Sequence, residues 1–236
     1  MAMRATDAQQ ALKAHANPKK AEFVARYFKS GPGEYGEGDV FIGVPVPQMR
    51  SVAKQFKELS QTHILKLLHS PIHEHRYTAL IILDLQFSKA DEKERKRIVD
   101  LYLGNLDYVN NWDLVDTSAY PILGAYLMSR SRSVLYKLAR SKDLWRQRVA
   151  IIATYAFIRQ NDFSDTLKLA ETLLSHEHDL IHKAVGWMLR EVANRDRAVA
   201  EVFLKRHCKS MPRTMLRYAI EKFPESRRRA YLKGKI

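Results

Sequence analysis

Trp112 and Asp116 stand four residues apart, and so do Lys183 and Trp187. On a helix each pair shares one face. With Arg76 and Arg148 they make a set of cations, two large aromatic rings and one carboxylate. Rings and cations suit an anionic polymer, and the carboxylate suits something positively charged at its centre. In the opposing reading both tryptophans are core residues and Asp116 caps a helix. Spacing alone leaves the two readings open.

Other chemistry is poorly supported. His73-Glu74-His75 and His176-Glu177-His178 place two histidines at i and i+2, which do not face each other on a helix, so surface histidines are expected rather than a shared metal. The chain has no Gly-x-x-x-x-Gly-Lys-Ser/Thr loop, no Gly-x-Gly-x-x-Gly after a strand and no Gly-x-Ser-x-Gly elbow. Cys208 has no evident base partner, and a buried structural role is expected. As the single cysteine it excludes an intrachain disulfide and any multi-thiolate metal site, as in a reducing compartment.

The elements that must position these residues read as helices. Apolar residues recur at helical spacing through Leu65, Leu68 and Ile72, through Ile98, Leu101 and Tyr102, and through Val149, Ile152, Ala153 and Ala156. Starts are marked at Asn17-Pro18, Ser70-Pro71, Ser141-Lys142-Asp143 and Met211-Pro212. Four of the nine glycines cluster in Gly31 to Gly38, and Gly31-Pro32-Gly33 is expected to loop between the first two helices. Segments starting at Arg76, Trp112, Arg148, Lys183 and Arg217 follow one another every 34 to 36 residues, the length of one helix pair. The Trp-Leu-Gly-Tyr pattern of tetratricopeptide repeats is missing, so the expected fold is all-α: a curved α-solenoid of HEAT-like or armadillo-like helix pairs with a concave basic groove. In such a stack Arg76, Trp112, Asp116, Arg148, Lys183 and Trp187 point into that groove.

The 236 residues carry 40 Lys or Arg against 26 Asp or Glu, a formal charge of +14. Eleven of the cations, against three Glu, lie from Glu201 to Ile236. Such density favours phosphate binding by counterion release, while the mixed run Lys93-Glu94-Arg95-Lys96-Arg97 reads as a solvated helix face. Composition is ordinary globular, with 46% hydrophobic residues. One domain spanning 1–236 is expected, in the cytosol, with no secretion signal and no membrane span.

Several separated segments then agree on a family. Asn17-Pro18-Lys19-Lys20-Ala21-Glu22 with Ala25-Arg26-Tyr27, Phe41-Ile42-Gly43-Val44 before Pro47, Trp112-Asp113-Leu114-Val115-Asp116, Leu144-Trp145-Arg146-Gln147-Arg148 and Lys183-Ala184-Val185-Gly186-Trp187-Met188-Leu189-Arg190-Glu191 resemble, in order, the bacterial alkylpurine DNA glycosylases of the AlkD type, in the DNA alkylation repair family. The resemblance implies a curved array of HEAT-like repeats. It also implies an enzyme that excises N3-methyladenine and N7-methylguanine from duplex DNA without enclosing a flipped base. Carried over, Asp116 is the catalytic carboxylate, Trp112 and Trp187 flank the lesion, and Arg148 anchors the DNA backbone. Tyr27, Arg50, Lys183 and Arg190 match positions near the DNA. Asn111 departs from the family, which often has a second Trp there, and Gly31 to Asp39 looks like an insertion found in some relatives.

The implied chemistry is self-consistent. A cationic purine leaves as a neutral base without a general acid, so the need is for a carboxylate that stabilises the oxocarbenium-like C1′. No lysine adjoins Asp116 as a Schiff-base nucleophile, so a monofunctional enzyme leaving an abasic site is expected. No cofactor, metal or obligatory protein partner is expected, and the chain is expected to act as a monomer on double-stranded DNA containing alkylated purines. Two alternatives remain: a non-catalytic HEAT-like protein that binds damaged or branched DNA, and a protein-interaction scaffold.

Overall fold

The computed structural model describes residues 3–236. It is all-helical: among the described residues there is no strand, and extended pairing is confined to an isolated parallel bridge between Val40 and Ile72. The chain forms two compact units, the first up to Ser118 and the second Ala119–Ile236. No described helix is long and apolar enough to cross a membrane.

The first unit contains α1 (Ala5–Lys13), α2 (Pro18–Tyr27), α3 (Val46–Gln55), α4 (Gln61–Leu68), α5 (His73–Lys89), α6 (Glu92–Gly104) and α7 (Trp112–Ser118). Helix α5 is its centre and packs against α3, α4 and α7. Every residue from His73 to Leu83 is buried, because neighbours cover the helix on all sides rather than along one stripe. The second unit opens on a π-helical stretch, Ala119–Gly124, and continues through α8 (Ser133–Ala139), α9 (Leu144–Ala153), α10 (Tyr155–Ile158), α11 (Ser164–Thr172), α12 (Asp179–Arg195), α13 (Arg197–His207), α14 (Arg213–Ala219) and α15 (Glu225–Leu232). Here α12 is central, packed against α9, α11, α13 and α14.

The period of about 35 residues corresponds to a step of two helices, or of three where the short α10 intervenes. Arg76, Trp112, Arg148, Lys183 and Arg217 fall in α5, α7, α9, α12 and α14. Within the first unit α5 packs on α7, and within the second α9 packs on α12 and α12 on α14. The expected starts at Asn17-Pro18, Asp143 and Pro212 are met: the Asn17 side chain accepts from Lys20 N–H at 3.1 Å, and Asp143 accepts from Arg146 N–H at 2.7 Å. At Ser70-Pro71 the helix starts two residues later, because the Ser70 hydroxyl caps Ile72 N–H at 3.1 Å ahead of the first turn. The glycine cluster lies between α2 and α3, not between the first two helices, because α1 already occupies Ala5–Lys13.

The contact between α12 and α14 depends on Gly186. A Cβ there would lie 2.5 Å from Tyr218 Cβ and 2.6 Å from the Met215 carbonyl oxygen. Gly186→Ala is therefore expected to destabilise the protein by about 1–3 kcal/mol through overpacking. Gly104→Ala, which meets nothing within 4 Å, is expected to be neutral. Urea unfolding of the two variants checks this, and equal midpoints would refute the close-packing argument.

Candidate active site

In the first unit the start of α7 carries the predicted pair. Buried Asn111 accepts from Trp112 N–H at 2.8 Å, and its carbonyl accepts from Val115 N–H at 3.1 Å, so it sets the first turn. Trp112 is half-buried and lies flat on Phe28, with ring centroids 4.9 Å apart and planes 10° apart; Tyr27 meets it edge-on at 6.0 Å. Trp112 is therefore not a fully buried core residue. The capping reading of Asp116 fails as well. Asp116 is half-buried inside α7, one turn beyond Trp112, rather than at the helix cap. Its charge adds to burial in pushing up the pKa of the enclosed Tyr102 phenol.

Arg50, exposed on α3, donates to Tyr77 Oη at 3.4 Å, and Thr117, the neighbour of Asp116, donates to the same oxygen at 3.5 Å. Tyr27 is 61% exposed. The first unit thus assembles Tyr27, Phe28, Trp112, Asp116 and the Arg50–Tyr77–Thr117 chain around α7.

Sequence reasoning missed what holds that turn. His73 and His75, expected at the surface, are buried, His73 to 2% exposure, and so is Glu74 between them. His73 Nδ1 lies 2.9 Å from Asp39 Oδ2, and its Nε2 lies 2.9 Å from Asp113 Oδ2. Both nitrogens face carboxylates, so the ring is an imidazolium donating twice. Burial pulls the His73 pKa down, but the charge and hydrogen bonds of Asp113 and Asp39 overrule it and raise it to about 9. For Asp39, burial raises the pKa, while His73, Arg76 and Asn111 together hold it below the ordinary carboxylate value. Arg76, expected to face the groove, is instead buried and ion-paired with Asp39. Phe41 stacks on the His73 ring at 4.7 Å, and Phe28 packs on the same ring at 5.1 Å. No periodicity could reveal Asp39, His73 and Asp113 as partners, because tertiary contacts alone bring them together.

Glu74 completes the anchor. Its carboxylate accepts from the backbone N–H groups of Ile42, Gly43 and Val44 at 2.7–3.3 Å. Gly43 has φ of +76°, which a side chain rarely adopts, so the Phe41-Ile42-Gly43-Val44 segment wraps Glu74 only with glycine there.

In the second unit Trp187 is half-buried on α12. Its Nε1–H donates to Glu191 at 3.0 Å, and the Tyr155 ring lies 6.0 Å away. The core reading of Trp187 is not met either. Lys183 pairs with Asp179 at 2.7 Å, and Arg190 pairs with Glu221. Arg148, expected to anchor the DNA backbone, is 5% exposed and donates through Nη1 to the Leu180 carbonyl at 2.5 Å. It ties α9 to the first turn of α12. His176 and His178 are half-buried. His176 bonds Gln147 at 2.8 Å and His178 Nδ1 accepts from Leu180 N–H at 3.1 Å, so they organise the entry to α12. Among the described residues no group of three or more His, Cys, Asp or Glu is arranged to hold a metal ion.

The basic C-terminal stretch folds as α13 to α15. Part of its charge is neutralised there, Arg227 on Glu201 and Arg228 and Arg229 on Glu225. Lys205, Arg206, Lys209, Arg213 and Arg217 are exposed. Cys208 is buried, as expected, with its thiol 3.7 Å from the Ile236 carbonyl.

The family described as DNA alkylation repair enzyme matches residues 8–223. A solved structure described as a predicted DNA alkylation repair enzyme from Enterococcus faecalis superposes with a TM-score of 0.69 at 17% identity, over 89% of this chain and 98% of that one. The crystal structure of AlkD2 from Streptococcus mutans gives 0.55 at 15% identity, over 94% of this chain and 97% of the other. At these identities the likeness is one of fold. No curated protein matches the chain.

Proposed function

The chain belongs to the DNA alkylation repair enzyme family, and from that premise we propose that it is a monofunctional DNA glycosylase. It hydrolyses the N-glycosidic bond of cationic alkylated purines, N3-methyladenine and N7-methylguanine, in duplex DNA without enclosing a flipped base, and leaves an abasic site. The observation that carries this reading is Asp116 on α7, one helical turn beyond the half-buried Trp112.

In this reading the C1′–N bond breaks with its electron pair going to the purine, which departs neutral because it was already positively charged. The Asp116 carboxylate stabilises the oxocarbenium-like sugar. It also orients the water whose oxygen adds to C1′ and takes up the proton that water loses. The electron-rich faces of Trp112 and Trp187 favour a charged nucleoside over a neutral one by about 0.5–2 kcal/mol each. Tyr27, Arg50, Lys183 and Arg190 are assigned to the DNA near the lesion. Arg148 contributes by fixing the first turn of α12, the helix that carries Lys183, Trp187 and Arg190. The net charge of +14 supplies the non-specific attraction to phosphate.

The test is release of free base from a duplex containing one N7-methylguanine. Wild-type protein is expected to release it and to leave an abasic site that no borohydride-trapped covalent complex accompanies. Absence of release, with salt-dependent DNA binding intact, would replace this reading by a non-catalytic binder of damaged DNA.

A further inference from the structure

Helices α11 and α13 both pack on α12, and between them lies a groove of about 270 Å³. On α13 the residues that line it follow helical spacing, Val199, Val202, Phe203 and Arg206 at i, i+3, i+4 and i+7. A stripe of that kind normally faces a core. Here only Phe203 is buried, while Val199 is half-buried and Val202 is 64% exposed. Leu167 of α11, also half-buried, extends the apolar floor. Each helix adds one exposed cation to the lining, Lys168 from α11 and Arg206 from α13. The acids of the two helices are engaged: Asp165 by Arg132 and Tyr136, Glu201 by Arg197 and Arg227, and Glu171 faces His207 at 3.6 Å.

A single exposed valine is ordinary on a protein surface, but an apolar floor with a cation from each wall selects its occupant. A DNA strand would satisfy the two cations and leave the floor wet, since its edge offers phosphates and sugars and no large apolar group. A second copy of this chain would bring a like charge of +14 against it. An acidic peptide with an apolar anchor matches both halves, burying the anchor and placing carboxylates on the cations. We propose that this groove docks an acidic segment of a partner protein, with an apolar side chain of that segment seated on Val199, Val202 and Phe203 and its carboxylates on Lys168 and Arg206. The inference does not depend on base release.

The experiment uses the full chain and fluorescence anisotropy with a labelled peptide in which Phe and Leu are set among aspartates. Two control peptides replace the aspartates by Asn, or Phe and Leu by Ser, and a labelled DNA duplex is titrated alongside. Wild type is expected to bind the first peptide saturably and each control at least about tenfold more weakly. Val202→Ser is expected to bind the first peptide about tenfold more weakly and the duplex within about twofold of wild type, because no charge is lost. Arg206→Glu should lose about tenfold on the peptide, while Lys13→Glu, a reversal in the first unit, should stay within about twofold. Urea unfolding of the three variants should match wild type, since all three side chains are exposed. No saturable peptide binding, or equal binding of either control, overturns the proposal. So does an equal loss in Lys13→Glu, which would reduce the effect to overall charge. A matching loss of duplex binding in Val202→Ser would make the groove part of a DNA surface, and a wild-type dimer that Val202→Ser dissociates in sedimentation would make it a self-interface; either result also overturns it.

Discussion

Asp116→Asn is expected to release N7-methylguanine from duplex DNA at least about 100-fold more slowly than wild type while binding the same duplex as tightly or slightly more tightly. The expected size is that of removing one preorganised electrostatic partner from a developing charge. Asparagine keeps the shape of the side chain but cannot offset positive charge at C1′ or accept a proton from the attacking water. Binding is spared because the substitution removes a negative charge from a protein that meets a polyanion. The fold is spared because Asp116 sits half-buried within α7 and the substitution keeps its size. Single-turnover release and equilibrium binding, measured on one preparation, separate the two effects. Normal release by Asp116→Asn would eliminate the proposed mechanism, and a matched loss of rate and affinity would make Asp116 a binding residue instead.

The second large effect concerns stability against pH, and it comes from two neighbouring histidines whose pKa values move in opposite directions. His73 is raised from the ordinary 6.5 to about 9, and His75, by burial and by the charge of Arg76, is lowered to about 4. The groups that face His73 are Asp39 and Asp113, with Arg76 and Asn111 on Asp39. A raised pKa contributes stability that is fully present below 6.5 and is lost as pH rises through about 9. A lowered pKa contributes stability that is present above 6.5 and is lost as pH falls through about 4. The unfolding free energy is therefore expected to peak near pH 6.5 and to fall by about 3 kcal/mol on each side, because a tenfold change in proton affinity is worth about 1.4 kcal/mol. His73→Gln is expected to flatten the alkaline flank and to cost about 3 kcal/mol at pH 6.5, since the enclosed Asp39 carboxylate and the half-buried Asp113 lose their shared cation. Urea unfolding at pH 5, 6.5, 8 and 9 reads both flanks. A wild type with no alkaline decline would mean that His73 is neutral in the folded protein.

This cluster also bears on activity through position. Asp113 follows Trp112 directly, and Asn111 starts the same turn while donating to Asp39. Asp39 ends the glycine-rich segment that resembles an insertion. The segment therefore contributes a carboxylate to the support of α7 rather than a loose surface loop. The departure at Asn111 has a matching role: a side-chain amide there can cap Trp112 N–H and reach Asp39 at once, which an indole could not do.

Local chemistry carried much of this protein into its sequence. The helices were legible because apolar spacing, Asn17-Pro18, Asp143 and Pro212 act within one or two turns, and the period of about 35 was legible because each helix pair repeats the same need to bury one face. Asp116 and the two tryptophans were legible as pairs because i and i+4 share a face wherever the helix sits. Tertiary structure decided the rest. Whether Trp112 is core or platform depends on Phe28 and Tyr27, some 85 residues earlier in the chain. Whether His73 and Arg76 meet water or carboxylates depends on Asp39, over 30 residues away. The burial of Arg148 depends on the Leu180 carbonyl at the start of another helix. A charged residue looks the same in sequence whether water or a buried partner solvates it, and only the folded chain supplies the partner.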